Sequence, residues 1–251
     1  MIRRVVDFAL SNRLLVLALG AVIATGTLRV LDAARRSGHP YVVVASSSSV
    51  YGSNRTLPAR EDGPTLPLSP YAASKLAGEA YALAYGRSYG LPVLVFRFFN
   101  VFGPLQRADH AYAAVVPAFV SAALSGSPLP VHGDGLQTRD FTFVGSVARV
   151  LVDAVERRVV SEGPVNLAFG GRSSVLELVD ALSAVLGADL EIRHQAPRPG
   201  DVRDSQADQT TLRRLFPAAS PVSFDEGLAQ TVAWFRTTLA ASAPPGAPTS
   251  T

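Results

Sequence analysis

Tyr71 and Lys75 stand four residues apart in S-P-Y-A-A-S-K-L-A-G-E. On a helix this spacing puts both side chains on one face, with Cβ atoms roughly 5–6 Å apart. An ammonium beside a phenol favours the phenolate and draws a pKa of about 10 towards neutrality, which makes tyrosine a usable general base near pH 7. Upstream, the serine cluster Ser46–Ser49 ends the apolar run Y-V-V-V-A. A hydroxyl at the carboxyl end of such a strand would lie at the sheet edge where α/β proteins bind ligands, able to bridge a substrate oxygen and the tyrosine. By itself a Tyr/Lys pair is a common surface arrangement and poly-serine a common turn. Their order, followed by a strand running into F-F-N-V-F-G-P, joins them into one candidate site.

Around these residues short apolar, β-branched runs alternate with helical spacing. Residues 41–46 (Y-V-V-V-A-S) and 91–98 (L-P-V-L-V-F-R-F) read as strands buried on both faces. Between them Ser69 is a candidate N-cap, Pro70 a first helical residue and Gly90 a stop, with Leu76, Ala80, Leu83 and Ala84 marking the apolar face. Val147, Val150, Leu151, Ala154 and Val155 repeat helical spacing; G-P-V-N-L-A-F-G-G is a strand candidate, and Ser174–Gly187 a further helix. Strand–helix alternation predicts an α/β fold with a parallel sheet.

Composition excludes several classes of function. The 251 residues contain no cysteine, which removes disulfides, thiolate metal sites and cysteine nucleophiles; four histidines without H-x-x-x-H spacing predict no metal centre. A net charge of +3 with no Lys/Arg run between aromatics suits an anionic small molecule and predicts no nucleic-acid partner.

Six ordered motifs, V-V-V-A-S-S-S-S-V-Y-G, P-L-S-P-Y-A-A-S-K-L-A-G-E, V-F-R-F-F-N-V-F-G-P-L-Q, G-D-G-L-Q-T-R-D-F-T-F-V, V-N-L-A-F-G-G-R-S-S and R-P-G-D-V-R-D-S-Q-A-D, resemble the extended short-chain dehydrogenase/reductase family, and within it the nucleoside-diphosphate-sugar 4-epimerases. The resemblance implies Ser47, Tyr71 and Lys75 as the catalytic trio, and NAD contacts from Tyr71, Lys75 and Phe98. It also implies Asn100, Arg139 and Arg198 on a substrate diphosphate and Asp201 on the uridine ribose. An arginine fork matches a diphosphate because it is planar, bidentate and always charged. Related 4,6-dehydratases carry Asp-Glu after the hydroxyl residue, where this chain has Ser48 and Ser49, so no acid is placed to eliminate water. Ser205 and Ala114 are small where bulkier residues often stand, leaving room for an acetamido group. The implied activity is NAD-dependent 4-epimerisation of UDP-glucose or UDP-N-acetylglucosamine through a 4-keto intermediate. A non-catalytic sugar-nucleotide-binding remnant and a UDP-glucuronate decarboxylase-like enzyme are the alternatives.

The family pattern begins here near Thr25, and its first strands and G-x-x-G-x-x-G turn are not found. Gly20 and Gly26 are the nearest glycines, and they are separated by A-V-I-A-T. The resemblance therefore implies an N-terminally truncated, partial Rossmann-like sheet beside a small mixed α/β lobe. Residues 25–104 and 140–168 would form the cofactor domain, 105–139 and 169–235 the UDP-sugar lobe, and 236–251 a disordered tail. Residues 1–24 read as a foreign apolar leader, with a similarity to the start of resistance-nodulation-division efflux pumps; a signal, an anchor and a native helix are the other readings. Leu14–Ala24, at eleven residues, falls short of the roughly 20 that span a bilayer. The expectation is a cytoplasmic protein, with membrane contact of 14–24 the alternative, and a homodimer as is usual in the family.

Overall fold

The computed structural model describes residues 13–54, 56–108, 114–197 and 202–242. A long helix, α1 (Arg13–Arg36), leads into β1 (Val42–Ser47) and a single 3₁₀ turn at Ser48–Tyr51. Helix α2 (Pro70–Tyr89) follows, then β2 (Val93–Phe98). Ser69 caps α2 by accepting from the Ala72 amide, proline occupies the first turn, and Gly90 ends it in the left-handed region at φ 67°. The two strands pair in parallel, and β2 pairs in parallel with β7 (Val165–Leu167), giving the order β1-β2-β7.

Alternation along β2 shows how the layers form. Val93 and Val95 pack with Leu31 of α1 and Ala82 of α2. Leu94 and Phe96 face the opposite way, onto Val147, Val150 and Ala154 of α4 (Val144–Arg157) and onto Leu212 and Phe216 of α6 (Thr210–Leu215) and its end. Helices therefore cover both faces of a parallel sheet, as crossover connections require.

A second core lies beyond the carboxyl ends of these strands. Helices α3 (Val115–Leu124), α5 (Val175–Leu186) and α7 (Phe224–Ser242) pack with the parallel pair β4 (Leu129–His132) and β9 (Ile192–Gln195) around Phe119, Leu129, Leu178, Leu182 and Val232. Two-residue strands form two further pairs: β3 (Val101–Phe102) with β6 (Thr142–Phe143) in parallel, and β5 (Thr138–Arg139) with β8 (Ser173–Ser174) antiparallel. A capping box at Ser174 and Glu177 starts α5 directly from β8.

Four details differ from the sequence expectations. Strand β1 is not buried throughout: its valines are half-buried and Ala45 is exposed, because among the described residues it has a neighbour on one side only. The buried face of α2 is Ala72, Ser74, Gly78, Glu79 and Ala82, whereas Ala80 and Ala84 are exposed. Here α1 packs closely, with Thr27 against Gly78, where an added Cβ would lie 3.3 Å from the threonine hydroxyl. Helix α1 runs without a break through residue 25, the expected seam. Helix α7 continues to Ser242, past the start expected for a tail at 236; Thr237 and Thr238 donate to carbonyls one turn back, so the polar residues stay within the helix. Among the described residues no helix is long and apolar enough to cross a membrane.

Candidate functional site

Ser47 is the last residue of β1 and pairs in register with Phe98, the last residue of β2. It also caps the 3₁₀ turn, its Oγ accepting from the Ser49 amide at 3.2 Å. The chain then reverses at Gly52 with φ 52°, where a Cβ would fall 1.7 Å from the Leu66 carbonyl oxygen. Only glycine fits there, and this turn directs the polypeptide away from the strand end so that Ser47 stays half-buried at the sheet edge.

Tyr71 lies in the first turn of α2 and is 53% exposed. The positive end of the helix dipole favours an anion at this position. Lys75, the chain's sole lysine, sits one turn on. Its Nζ donates to the Ala45 carbonyl of β1 at 3.0 Å and lies 5.7 Å from the Tyr71 ring centre. Lys75, with the Tyr71 ring near it, is thus held on β1 two residues before Ser47. Tyr51, by contrast, is buried; its hydroxyl donates to Asn166 Oδ1 at 2.7 Å and accepts from Arg97 at 2.9 Å. Burial pushes its pKa up to about 12, with the nearby Arg97 charge pulling the other way, so this phenol stays protonated.

Past β2, a cavity of about 200 Å³ opens between the lobes. Asn100, Ala114 and Arg139 all line it, with Phe102, Phe119 and Phe141 as apolar wall and Pro130 and His132 from β4. Arg139 is steadied by donating to the carbonyls of Thr138 at 2.8 Å and Arg203 at 3.2 Å. Residues 202–208 cross from one lobe to the other. Ser205 N–H donates to the Thr138 carbonyl at 3.1 Å, Arg203 forms a bidentate pair with Asp134, and the Ala59 amide donates to the Gln206 carbonyl at 2.8 Å. The Arg203 guanidinium holds the Asp134 carboxyl at a pKa of about 2. Ser205 therefore stands beside the strand that carries Arg139. Arg198 and Asp201 lie outside the described residues.

Several buried polar groups were not singled out in the sequence. Arg97 on β2 and Glu79 on α2 form a bidentate ion pair, with side chains 4% and 5% exposed. Burial pulls against the arginine's charge, but Glu79 and the Tyr51 hydroxyl hold its pKa above the ordinary value. The sequence carried half of the signal, because an arginine inside V-L-V-F-R-F-F needs a buried partner, but which residue that is follows only from the fold. Asp140, fully buried, accepts from the Ala207 amide at 3.0 Å. Burial pushes its pKa up to about 7, against the pull of the backbone amides of Ala207 and of Phe169–Gly171.

The family model for "NAD dependent epimerase/dehydratase family" matches residues 18–168. The chain belongs to that family. Members of the NAD-dependent epimerase/dehydratase family with known names include a UDP-glucose 4-epimerase of Mycolicibacterium smegmatis, 40% identical over 86% of this chain and 68% of the relative. A dTDP-glucose 4,6-dehydratase of Streptomyces griseus is 36% identical over 84% of this chain and 63% of its own length. Among solved structures, a UDP-N-acetylglucosamine 4-epimerase from Methanobrevibacter ruminantium M1, in complex with UDP-N-acetylmuramic acid, superposes with a TM-score of 0.80. It is 37% identical, covering 84% of this chain and 68% of that one. The chain thus spans about two thirds of the length of these relatives. The family is NAD-dependent, and the residues present fit one end of that cofactor. Lys75 offers an ammonium with three donors, one of them on Ala45, beside Tyr71 at the sheet edge. For the cofactor's pyrophosphate, the sequence contains no G-x-x-G-x-x-G turn.

Proposed function

We propose that this chain carries the catalytic and substrate-binding residues of a UDP-sugar 4-epimerase acting on UDP-glucose or UDP-N-acetylglucosamine. What supports the proposal is Lys75 on the Ala45 carbonyl, near the Tyr71 ring and two residues before Ser47 at the carboxyl end of β1, with the cavity of Asn100, Ala114 and Arg139 opening two residues past β2. Arg139 binds the diphosphate with Asn100, and the sugar extends from there towards Ser47. Arg198 and Asp201 are assigned to the diphosphate and the uridine ribose from their motif. Ser47 hydrogen-bonds the sugar 4-oxygen, and Tyr71, with Lys75 beside it, serves as the base that takes the proton from that hydroxyl and later returns it. Bound NAD, contacted by Tyr71, Lys75 and Phe98, supplies the reversible hydride acceptor at C4. Ala114 at the N-terminus of α3 and Ser205 are small, which suits an acetamido substituent. Ser48 and Ser49 offer no acid for a dehydratase step.

The proposed assembly is a homodimer through α1 and α2, whose outer faces expose Val30, Tyr81 and Tyr89. The deciding experiment incubates the purified chain with UDP-N-acetylglucosamine or UDP-glucose and added NAD⁺ and follows the galacto product by NMR. Product formed by the native chain and not by Tyr71→Phe is the expected result. No product, while UDP still raises the melting temperature, would leave a sugar-nucleotide-binding protein; carbon dioxide release from UDP-glucuronate would make it a decarboxylase.

A further inference from the structure

Helix α2 carries Tyr71 and Lys75, and most of its fully buried residues are small, with Leu76, Leu83 and Tyr85 partly buried beside them. Ala72, Ser74, Gly78 and Ala82 present only small groups to β1 and α1. Interlocking large side chains normally set where one element stops along another; a face of alanine and glycine does this weakly. Among the fully buried residues the one large side chain is Glu79, one turn beyond Lys75 on the same stripe. Its Oε2 accepts from Ser46 Oγ of β1 at 2.9 Å and from Arg97 Nε of β2 at 3.0 Å, and Arg97 Nη2 donates to Oε1 at 2.5 Å. Arg97 is itself fixed, Nη1 donating to the Tyr51 hydroxyl at 2.9 Å and to the Glu61 carbonyl at 3.2 Å, with the guanidinium 4.8 Å above the Tyr51 ring. Ser46, Glu79 and Arg97 are all buried, and Ser46 directly precedes Ser47.

We propose that Ser46, Glu79 and Arg97 are positioning residues that set the slide and rotation of α2 on β1, and so deliver Tyr71 and Lys75 to Ser47. The assignment rests on the catalytic reading of those three residues. Directional bonds to two adjacent strands define one register for the helix, which a smooth apolar contact would not. A shift of about 1 Å at such a site costs roughly 10²-fold in turnover. A buried ion pair contributes little net stability against apolar residues of similar volume, so the two roles separate experimentally.

The test replaces the whole cluster at once, with Ser46→Ala, Glu79→Leu and Arg97→Met in one chain, so that few groups are left unpaired. Because Lys75 is the sole lysine, ¹³C,¹⁵N-lysine labelling gives one side-chain signal that reports its contact with Ala45. The expected result is a folded variant whose Lys75 signal moves towards that of free lysine. Its kcat falls about 10²-fold while KM stays within about threefold. Native turnover in the folded variant overturns the proposal, as does an unmoved Lys75 signal. If the triple variant does not fold, Glu79→Gln, which keeps the volume and weakens both bonds, decides by the same two readouts. If the native chain shows no turnover, the epimerase reading fails on its own, and the Lys75 signal alone decides the positioning role.

Discussion

At the scale of single residues, the two halves of the candidate site should make separable contributions. Tyr71→Phe removes one hydroxyl from a side chain that is half exposed, so the melting temperature should hold while turnover falls about 10²–10⁴-fold. UDP affinity should be unchanged in the same variant. Arg139→Ala should do the reverse, weakening UDP binding by about 10–100-fold, as the loss of charge-assisted bonds implies. Isothermal titration with UDP on both variants checks the pair; equal losses of affinity would show that the two clusters are not distinct. Asp140 governs a different property. Its carboxyl releases a proton near pH 4 when unfolded and near pH 7 when folded. Between those values the native state binds more protons, so this group's contribution to stability is greatest below pH 4 and is lost as pH rises through about 7. Melting temperatures measured from pH 5 to 8 should fall with pH in the native chain. Asp140→Asn should flatten that slope, and an unchanged slope would assign it to another group.

At the scale of elements, the turn after Ser47 is the most constrained connection. Gly52→Ala would drive a methyl into the Leu66 carbonyl in a backbone region that alanine disfavours. Destabilisation of more than about 2 kcal/mol is expected from this overlap, read as a denaturation midpoint shift. A native midpoint would mean the loop at Leu66 relaxes freely. Much of this layer was legible in the sequence. Ser69, Pro70 and Gly90 bracket α2 as capping chemistry requires, and β2 and β7 lie where short apolar runs put them. What was not legible came from contacts distant in sequence. Periodicity chose Ala80 and Ala84 for the apolar face of α2, but close packing of α1 on Gly78 and bonding of Glu79 to two strands set the buried face elsewhere. The candidate site divides the same way. Ser47 and the Tyr71/Lys75 spacing could be read locally, whereas Glu79 and Arg97 acquire their role only when β2 comes to lie beside β1.

At the scale of the whole molecule, the outer edge of β1 is the feature with the most direct consequence. The strand V-V-V-A-S-S carries no charge, no proline and no bulge, and among the described residues only β2 pairs with it. Proteins ordinarily blunt such an edge with charge or cover it, because its free amides and carbonyls template pairing with another chain. Two modes of association should therefore be separable by sedimentation velocity. A discrete dimer would come from the proposed surface that exposes Val30 of α1 and Tyr81 and Tyr89 of α2, whereas pairing along β1 would give larger, concentration-dependent species. Ala45 is exposed in the middle of this edge, so Ala45→Lys places a solvated charge where an incoming strand must lie. The substitution should suppress the larger species and leave the proposed dimer intact. Tyr81→Glu on the outer face of α2 should have the opposite effect. If Ala45→Lys leaves the larger species unchanged, they form through another surface, and the apolar edge of β1 is already protected in solution.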